Sequence, residues 1–433
     1  MILGSLKRNH VTDDKLWEMV EQAHRLTMGG YDVWDDNGPV LVPLMERILA
    51  RSKEKGEWQV YFYDMEMLFW LIRREAVNDI PKAFKLGEVF HRDIALGLGE
   101  GAGKSAQEWQ VSMAADLLNF YLGYPQIDDG KIRHMLDLFL ELHRRFGSSW
   151  NNGDYKKVLD LAFLDQDDAL AELARRKLEK ADYRSWCYVC YYGRAMIGYY
   201  VFHGDFEGAE EMVSRICTRG IPAKYQWCYN QCEGAEEGSL VEEALVGCLK
   251  MRKRELFEKA FAKWRRLFEE PEEGEVSDTH RVLFHSLAGD WSRLEDRLRL
   301  AEEDDRDRKK QKAAPLDCLY WSLCWHCYFR LLEKQGTVTV WMKLGEEEGP
   351  GGRPLATGGA EAENRPVAGY RPGERPAFRG AAQEGRQEWP CLQVAGYFEK
   401  QADLLGAQMD RARTRFQYKK VKKAYEECFL GGK

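Results

Sequence analysis

No apolar run in this 433-residue chain reaches membrane-spanning length without a charge. The best candidate, residues 186–202, is cut by Arg194 and is only about one short span long. The opening stretch MILGSLKRNHVTDDKLW lacks the apolar core of a signal peptide, because Lys7, Arg8 and Asp13 follow too soon. There is no HExxH and no Ser/His/Asp set to nominate. No strand-like alternation with turn chemistry recurs, which argues for an all-α chain. Nor is there an excess of positive charge. The net charge of −7 and pI near 5.9 give no general support for binding nucleic acid or an anionic membrane. The eleven cysteines are odd in number and sit mostly inside apolar helices, so they read as reduced thiols in a cytosol.

What the chain does have is hydrophobic content of 44%, with fourteen Trp and twenty Tyr. Its length exceeds one ordinary core and implies two or more domains or an elongated array. Arg184 to Ile216 shows the plan. Trp186 to Phe202 is apolar almost all the way round, as in a helix sandwiched between others. Phe206, Ala209, Met212, Val213 and Ile216 then fall at three- and four-residue steps among polar neighbours, giving a single stripe. His203-Gly204-Asp205 is short enough to fold the two antiparallel. Such a pair buries its core only by stacking on neighbours.

The same alternation runs along the chain. Residues 12–28 are capped by Thr12-Asp13-Asp14. A loop is expected at Asp35-Asp36-Asn37-Gly38-Pro39, then a helix over 41–52. Trp58 to Ile72 is apolar all round and is followed by a stripe of Ile80, Phe84, Gly87, Phe90 and Ile94. Residues 104–122 with 131–146, and 155–164 with 169–178, read as further pairs. The pattern continues over 222–268, and Glu242 to Phe268 reads as strongly helical. Val282–Leu287 with Trp291–Leu300, and the aromatic-rich Leu316–Leu332, complete the series. An amphipathic partner should begin after Gly336 with Val338, Trp341, Met342 and Leu344.

Instead the composition changes. Residues 345–390 hold Pro350, Pro354, Pro366, Pro372, Pro376 and Pro390, and contain no lysine, isoleucine or cysteine. Such a segment buries too little to offset its chain entropy, and disorder is expected. A sharper hypothesis is an out-of-frame stretch, because Arg, Gly, Ala and Pro are what GC-rich DNA yields in the wrong frame. Resequencing that finds one uninterrupted frame, with the same segment in the native protein, overturns it. The expected organisation is therefore a helical array over 1–344, a Gly/Arg/Pro/Glu-rich insert over 345–391, and a C-terminal helix pair over 392–433 that completes the array.

Tyr199 to Ile216 resembles a tetratricopeptide (TPR) repeat. Tyr200, Gly204, Asp205, Phe206 and Ala209 fall on that motif's tyrosine, turn glycine, turn aspartate, aromatic and small-residue positions. Gly193 stands where the motif has Trp, Ile197 where it has Gly or Ala, and Ile216 where it has a later Ala. Gly289-Asp290-Trp291 and Gly153-Asp154-Tyr155 repeat the turn with weaker flanks. The resemblance implies a right-handed TPR-like α-solenoid and a scaffold that holds a peptide or partner protein. It implies no catalytic residues, cofactor or metal, and it does not say which residues bind the partner.

Other constellations are weaker. Gly97 to Ser105 resembles a phosphate-binding loop, but Leu98 stands where the first glycine is needed and a helix precedes it. Cys187/Cys190, Cys324/Cys327 beside His326, and Cys228/Cys232 have helical spacing but match no compact zinc module. Asp304-Asp305-Arg306-Asp307 loosely resembles the aspartate-rich motif of isoprenoid synthases, but the usual spacing is absent and a solvated charge run explains it. His280 and His285 are five apart and do not share a helix face well. Basic stretches at Arg252–Arg266 and Arg411–Lys423 read as outer faces. The expected function is non-catalytic docking, with a regulator's sensor module as one form of it. An all-α metal-dependent enzyme or metal protein is the alternative. RNA binding, which would weaken steeply with salt, is a third.

Overall fold

The structure, a computed structural model, describes residues 11–27, 31–74, 77–182, 188–218, 237–270, 276, 278–344 and 386–431. The chain divides into two compact units. One comprises Met1–Lys263 with Gln408–Val421, the other Trp264–Ala407 with Lys422–Lys433.

Among the described residues of the first unit, helices pack as sequential neighbours. They are α1 (Asp14–Thr27) with α2 (Tyr31–Lys55), α3 (Trp58–Ile72) with α4 (Ile80–Ala95), and α5 (Lys104–Leu122) with α6 (Asp129–Phe146). Next come α7 (Tyr155–Asp165) with α8 (Asp168–Leu178), and α9 (Arg194–Phe202) with α10 (Phe206–Thr218). After these stand α11 (Glu237–Lys250) and α12 (Arg254–Trp264). The first members lie beside one another: α3 by α5, α5 by α7, α7 by α9, and α9 by α11. Their composition dictates this. From Val60 to Ile72, α3 buries eleven residues on every side, whereas α4 buries only the stripe of Ala83, Leu86, Gly87, Phe90 and Asp93.

One turn recurs between partners, and only part of it is carried by glycine. Gly204 has φ +73°, and the amide of Asp205 donates to the carbonyl of Tyr200 at 2.9 Å. Asp205 then caps α10 by accepting from the amide of Gly208 at 2.9 Å. Fully buried Ala209 closes the corner. Gln166-Asp167 repeats this with φ 54° at Gln166, a cap on Leu170 and buried Ala171. Asn78-Asp79 does so with φ 46°, a cap on Lys82 and buried Ala83. Gly289-Asp290 keeps the left-handed residue, but within the loop Asp290 accepts from the amide of Ser292, and the next helix, which starts at Leu294, has no side-chain cap. Gly153-Asp154-Tyr155 does not repeat the turn: it forms a 3-10 turn leading into α7, outside any helix pair.

The second unit holds α13 (Thr279–Ala288), α14 (Leu294–Lys309) and α15 (Pro315–Lys334), with a two-stranded antiparallel ribbon of β1 (Thr339–Met342) and β2 (Gln387–Pro390). Two C-terminal helices come after the ribbon in the chain, α16 (Cys391–Ala412) and α17 (Tyr418–Glu426). α15 packs against α13 and α14. It buries Leu319, Leu323, Cys324, Trp325, Cys327 and Phe329 completely.

Several expectations are corrected. Residues 35–39 are not a loop; α2 runs through Pro39 and Pro43. Each proline removes a helical donor, and burial of Leu41, Leu44, Met45 and Ile48 offsets the loss. Glu242–Phe268 is not one helix. It breaks at Arg252, φ 59°, where the amide of Lys253 donates back to the carbonyl of Cys248 at 3.0 Å. The partner expected after Gly336 is strand β1, because the β-branched and aromatic run Thr339-Val340-Trp341 finds an edge to pair with. The described residues resume at Arg386, whose guanidinium pairs with Glu295 and Glu302. The disorder and frame-error readings of 345–385, and the helical reading of 222–236, lie outside the described residues.

Candidate functional site

The first members of the helix pairs carry charge where their apolar character leaves no room for it. Glu66 interrupts the apolar face of α3 and is 7% exposed. Ser112 on α5 donates to its Oε1 at 2.9 Å, while Oε2 has no hydrogen-bond partner. One helical turn along α5 lies Asp116. Its Oδ1 is 2.5 Å from the ammonium of Lys157 on α7. Lys157 also reaches Oδ1 of Asp154 at 3.3 Å, but the Oδ2 of that fully buried aspartate is orphaned. Farther along, Lys156 pairs with Glu243 of α11 at 2.7 Å, with Asp160 close by.

In the nearer cluster three carboxyls face one lysine, and two carboxylate oxygens are unsatisfied in a buried place. Burial dominates the protonation of these groups. It pushes Asp154 up to about 7, with Lys157 pulling the other way. Burial, with Asp116 adding repulsion, also raises Glu66 well above the ordinary range. Asp160 is raised to about 6, again chiefly by burial. Buried carboxyls shifted by desolvation and by named neighbours make a candidate binding site, although structural ion-pair networks shift such groups as well. Asp116 and Lys157 remain 16% and 18% exposed, so the cluster can be reached from solvent.

These shifts make stability depend on pH. A carboxyl whose folded pKa lies above its unfolded value binds the proton more tightly when folded. Its favourable contribution is therefore full below about pH 4, the unfolded value, and is lost as pH rises through about 7. Thermal midpoints of the chain are expected to fall between those values, and Asp154→Asn is expected to flatten the slope. An unchanged slope in the variant would show that Asp154 is not the group responsible.

The residues singled out in the sequence fare differently. Tyr200, Gly204, Asp205, Phe206 and Ala209 build the α9–α10 turn. Cys324 and Cys327 are buried in α15, and burial raises Cys327 far above its ordinary range, which keeps the thiol protonated. Cys187, Cys228 and Cys232 lie outside the described residues, as does the side chain of Cys190. The glycine-rich loop is structural: Gln110 donates to the carbonyl of Leu98 at 3.2 Å, and Lys104 opens α5.

Asp304 to Asp307 is not a solvated run. Asp304 accepts from Thr279 and the Trp325 indole, and Asp305 is 3% exposed and held by Arg308, Lys309 and Tyr397. His280 bonds Tyr425 at 2.9 Å, and burial lowers His285 to about 4. The two basic stretches are more than outer faces: Arg252, Arg415 and Lys420 meet around a cleft of 480 Å³ with Asp165, Gln166 and Gln417. The carboxylate cluster escaped the sequence reading. Its one legible signal was acid inside otherwise apolar helices, at Glu66 and Asp116.

No protein-family model, curated protein or solved structure matches this chain. No helix among the described residues is long and apolar enough to cross a membrane.

Proposed function

We propose that this chain is a non-catalytic docking scaffold of the cytosol, a right-handed TPR-like superhelix that holds a cationic segment of a protein partner. The observation that carries this is the cluster of Glu66, Asp116 and Asp154 around Lys157, with Arg73 also acting on Asp116 and with orphaned oxygens on Glu66 and Asp154. A lysine or arginine from a partner supplies donors to the unbonded oxygens and favours the ionised form of carboxyls that burial otherwise keeps protonated. The side-by-side array of α3, α5, α7, α9 and α11 supports the superhelix, and the recurring left-handed turn before a capping aspartate supports the TPR-like repeat.

The test is fluorescence anisotropy with peptides of one length and graded net charge. Cationic peptides should bind, with affinity falling as salt rises, and Asp116→Asn should weaken them by about tenfold, the effect of roughly 1.4 kcal/mol. Equal binding of acidic and basic peptides, or an unaltered Asp116→Asn, would sink the reading. Native mass spectrometry of protein taken gently from its host then names the partner.

A further inference from the structure

The second unit contains a buried imidazole nitrogen with nothing to bond. His326, in the middle of α15, is 1% exposed. Its Nδ1 lies 3.1 Å from the carbonyl oxygen of Ala395 on α16. A carbonyl only accepts, so in the neutral ring Nδ1 carries the proton and Nε2 presents a lone pair. That Nε2 has no hydrogen-bond partner. Two carboxylates converge on the ring: Glu426 Oε1 lies 3.6 Å from Nε2, and Glu399 Oε2 lies 3.9 Å from Nδ1. One ligand atom from each of the three residues falls within 4.8 Å of the others.

We propose that His326, Glu399 and Glu426 form a binding site for a divalent transition-metal ion of the zinc class. The alternative is a protonated imidazole paired with the two glutamates. Neither separation is a hydrogen bond, so an Nε2–H there would be buried and unbonded, which is costly. A metal answers each feature. It takes the lone pair of Nε2, and the Nδ1–H bond to Ala395 is the backbone contact that orients metal-binding histidines. One imidazole and carboxylate oxygens suit zinc and its neighbours better than calcium, which takes oxygen alone.

Bond lengths of about 2.0–2.2 Å place tetrahedral ligand atoms roughly 3.4 Å apart. The three atoms must therefore close by about an ångström. The glutamate side chains, 37% and 38% exposed, can turn that far and leave the ion a path from solvent. Lys422 holds the other oxygen of Glu399 at 2.7 Å and Asp403 at 2.9 Å, which fixes the glutamate without occupying Oε2. The ion would tie α15, α16 and the end of α17 together within this unit.

The experiment uses the full chain, stripped with chelator and titrated with zinc by calorimetry and with cobalt(II) by absorption. One ion per chain is expected, with a raised thermal midpoint. Glu399→Gln and Glu426→Gln should each weaken binding at least about tenfold with circular dichroism unchanged. The cobalt spectrum should show ligand-field bands without thiolate charge transfer. Because His326 is buried, the two half-exposed glutamates carry the test and His326→Gln is secondary. Failure to bind stoichiometrically, wild-type affinity in both glutamine variants, or a strong thiolate band that places the ion on cysteine would each overturn the proposal.

Discussion

Arg413→Ala is expected to destabilise the first unit by about 3–5 kcal/mol, the cost of breaking up a buried charged network. The guanidinium is 4% exposed and donates to four backbone carbonyls. Nη1 reaches Leu122 at 2.7 Å, Nη2 reaches Tyr121 at 2.6 Å and Tyr124 at 2.9 Å, and Nε reaches Ile127 at 3.3 Å. These are the last carbonyls of α5 and of the loop after it, where the regular intrahelical donors run out. The negative end of the α5 dipole provides counter-charge. Alanine would take the arginine donors from all four carbonyls; Tyr121 and Tyr124 would keep long turn bonds from the amides of Tyr124 and Ile127, at 3.3 Å, and each acceptor left unsatisfied costs about 1–3 kcal/mol, partly relieved by entering water. Lysine keeps the charge but not the planar fork, so Arg413→Lys should fall between. Urea titration followed by circular dichroism measures this. A loss below about 1 kcal/mol for alanine would mean that water serves these carbonyls equally well.

The second large effect is expected at Arg297. It is completely buried in the second unit, donating to the carbonyl of Asp290 at 2.8 Å and to its Oδ2 at 2.6 Å. Burial works against a charged Asp290, yet bonds from Ser292 and Arg297 hold its carboxyl below the ordinary range. Arg297→Met should cost about 3–5 kcal/mol, because it strands a carboxylate in a buried turn. Asp290→Asn added to it should restore much of the loss, since a neutral pair carries no uncompensated charge. The direction with pH is equally fixed. A depressed folded pKa gives stability that is present above the unfolded value and is lost as pH falls. The single variant should therefore approach wild type on acidification. A double variant no better than the single one would show that packing of the Arg297 stem, not charge, is what matters.

Much of the fold is legible in the sequence because helix period and burial act locally. Trp58–Ile72, Lys104–Leu122 and Pro315–Lys334 lie where apolar character places them, and their neighbours carry single stripes. The turn signal is broader than glycine alone. Glycine marks Gly204 and Gly289, but Asn78 and Gln166 adopt the same left-handed backbone at a cost of about 1 kcal/mol or so, against which the capping aspartate and buried alanine work. Prolines 39 and 43 mislead in the opposite direction.

The candidate sites are scarcely legible at all. Glu66, Asp116 and Asp154 are separated by 50 and 38 residues in sequence (116 − 66 and 154 − 116). His326, Glu399 and Glu426 come from three helices. The Arg411–Lys423 run reads as a solvated face, yet it contains a buried arginine.

By itself, then, the sequence determined helix type, the alternation of all-round apolar and striped helices, and the composition break at 345, because these depend on residues a few positions apart. The tertiary structure decided which charges are buried, which carboxylates share one lysine, and which imidazole nitrogen is left without a partner. Those depend on how much solvent the neighbouring helices remove, and desolvation is a property of the packed surroundings that no local stretch of chain encodes.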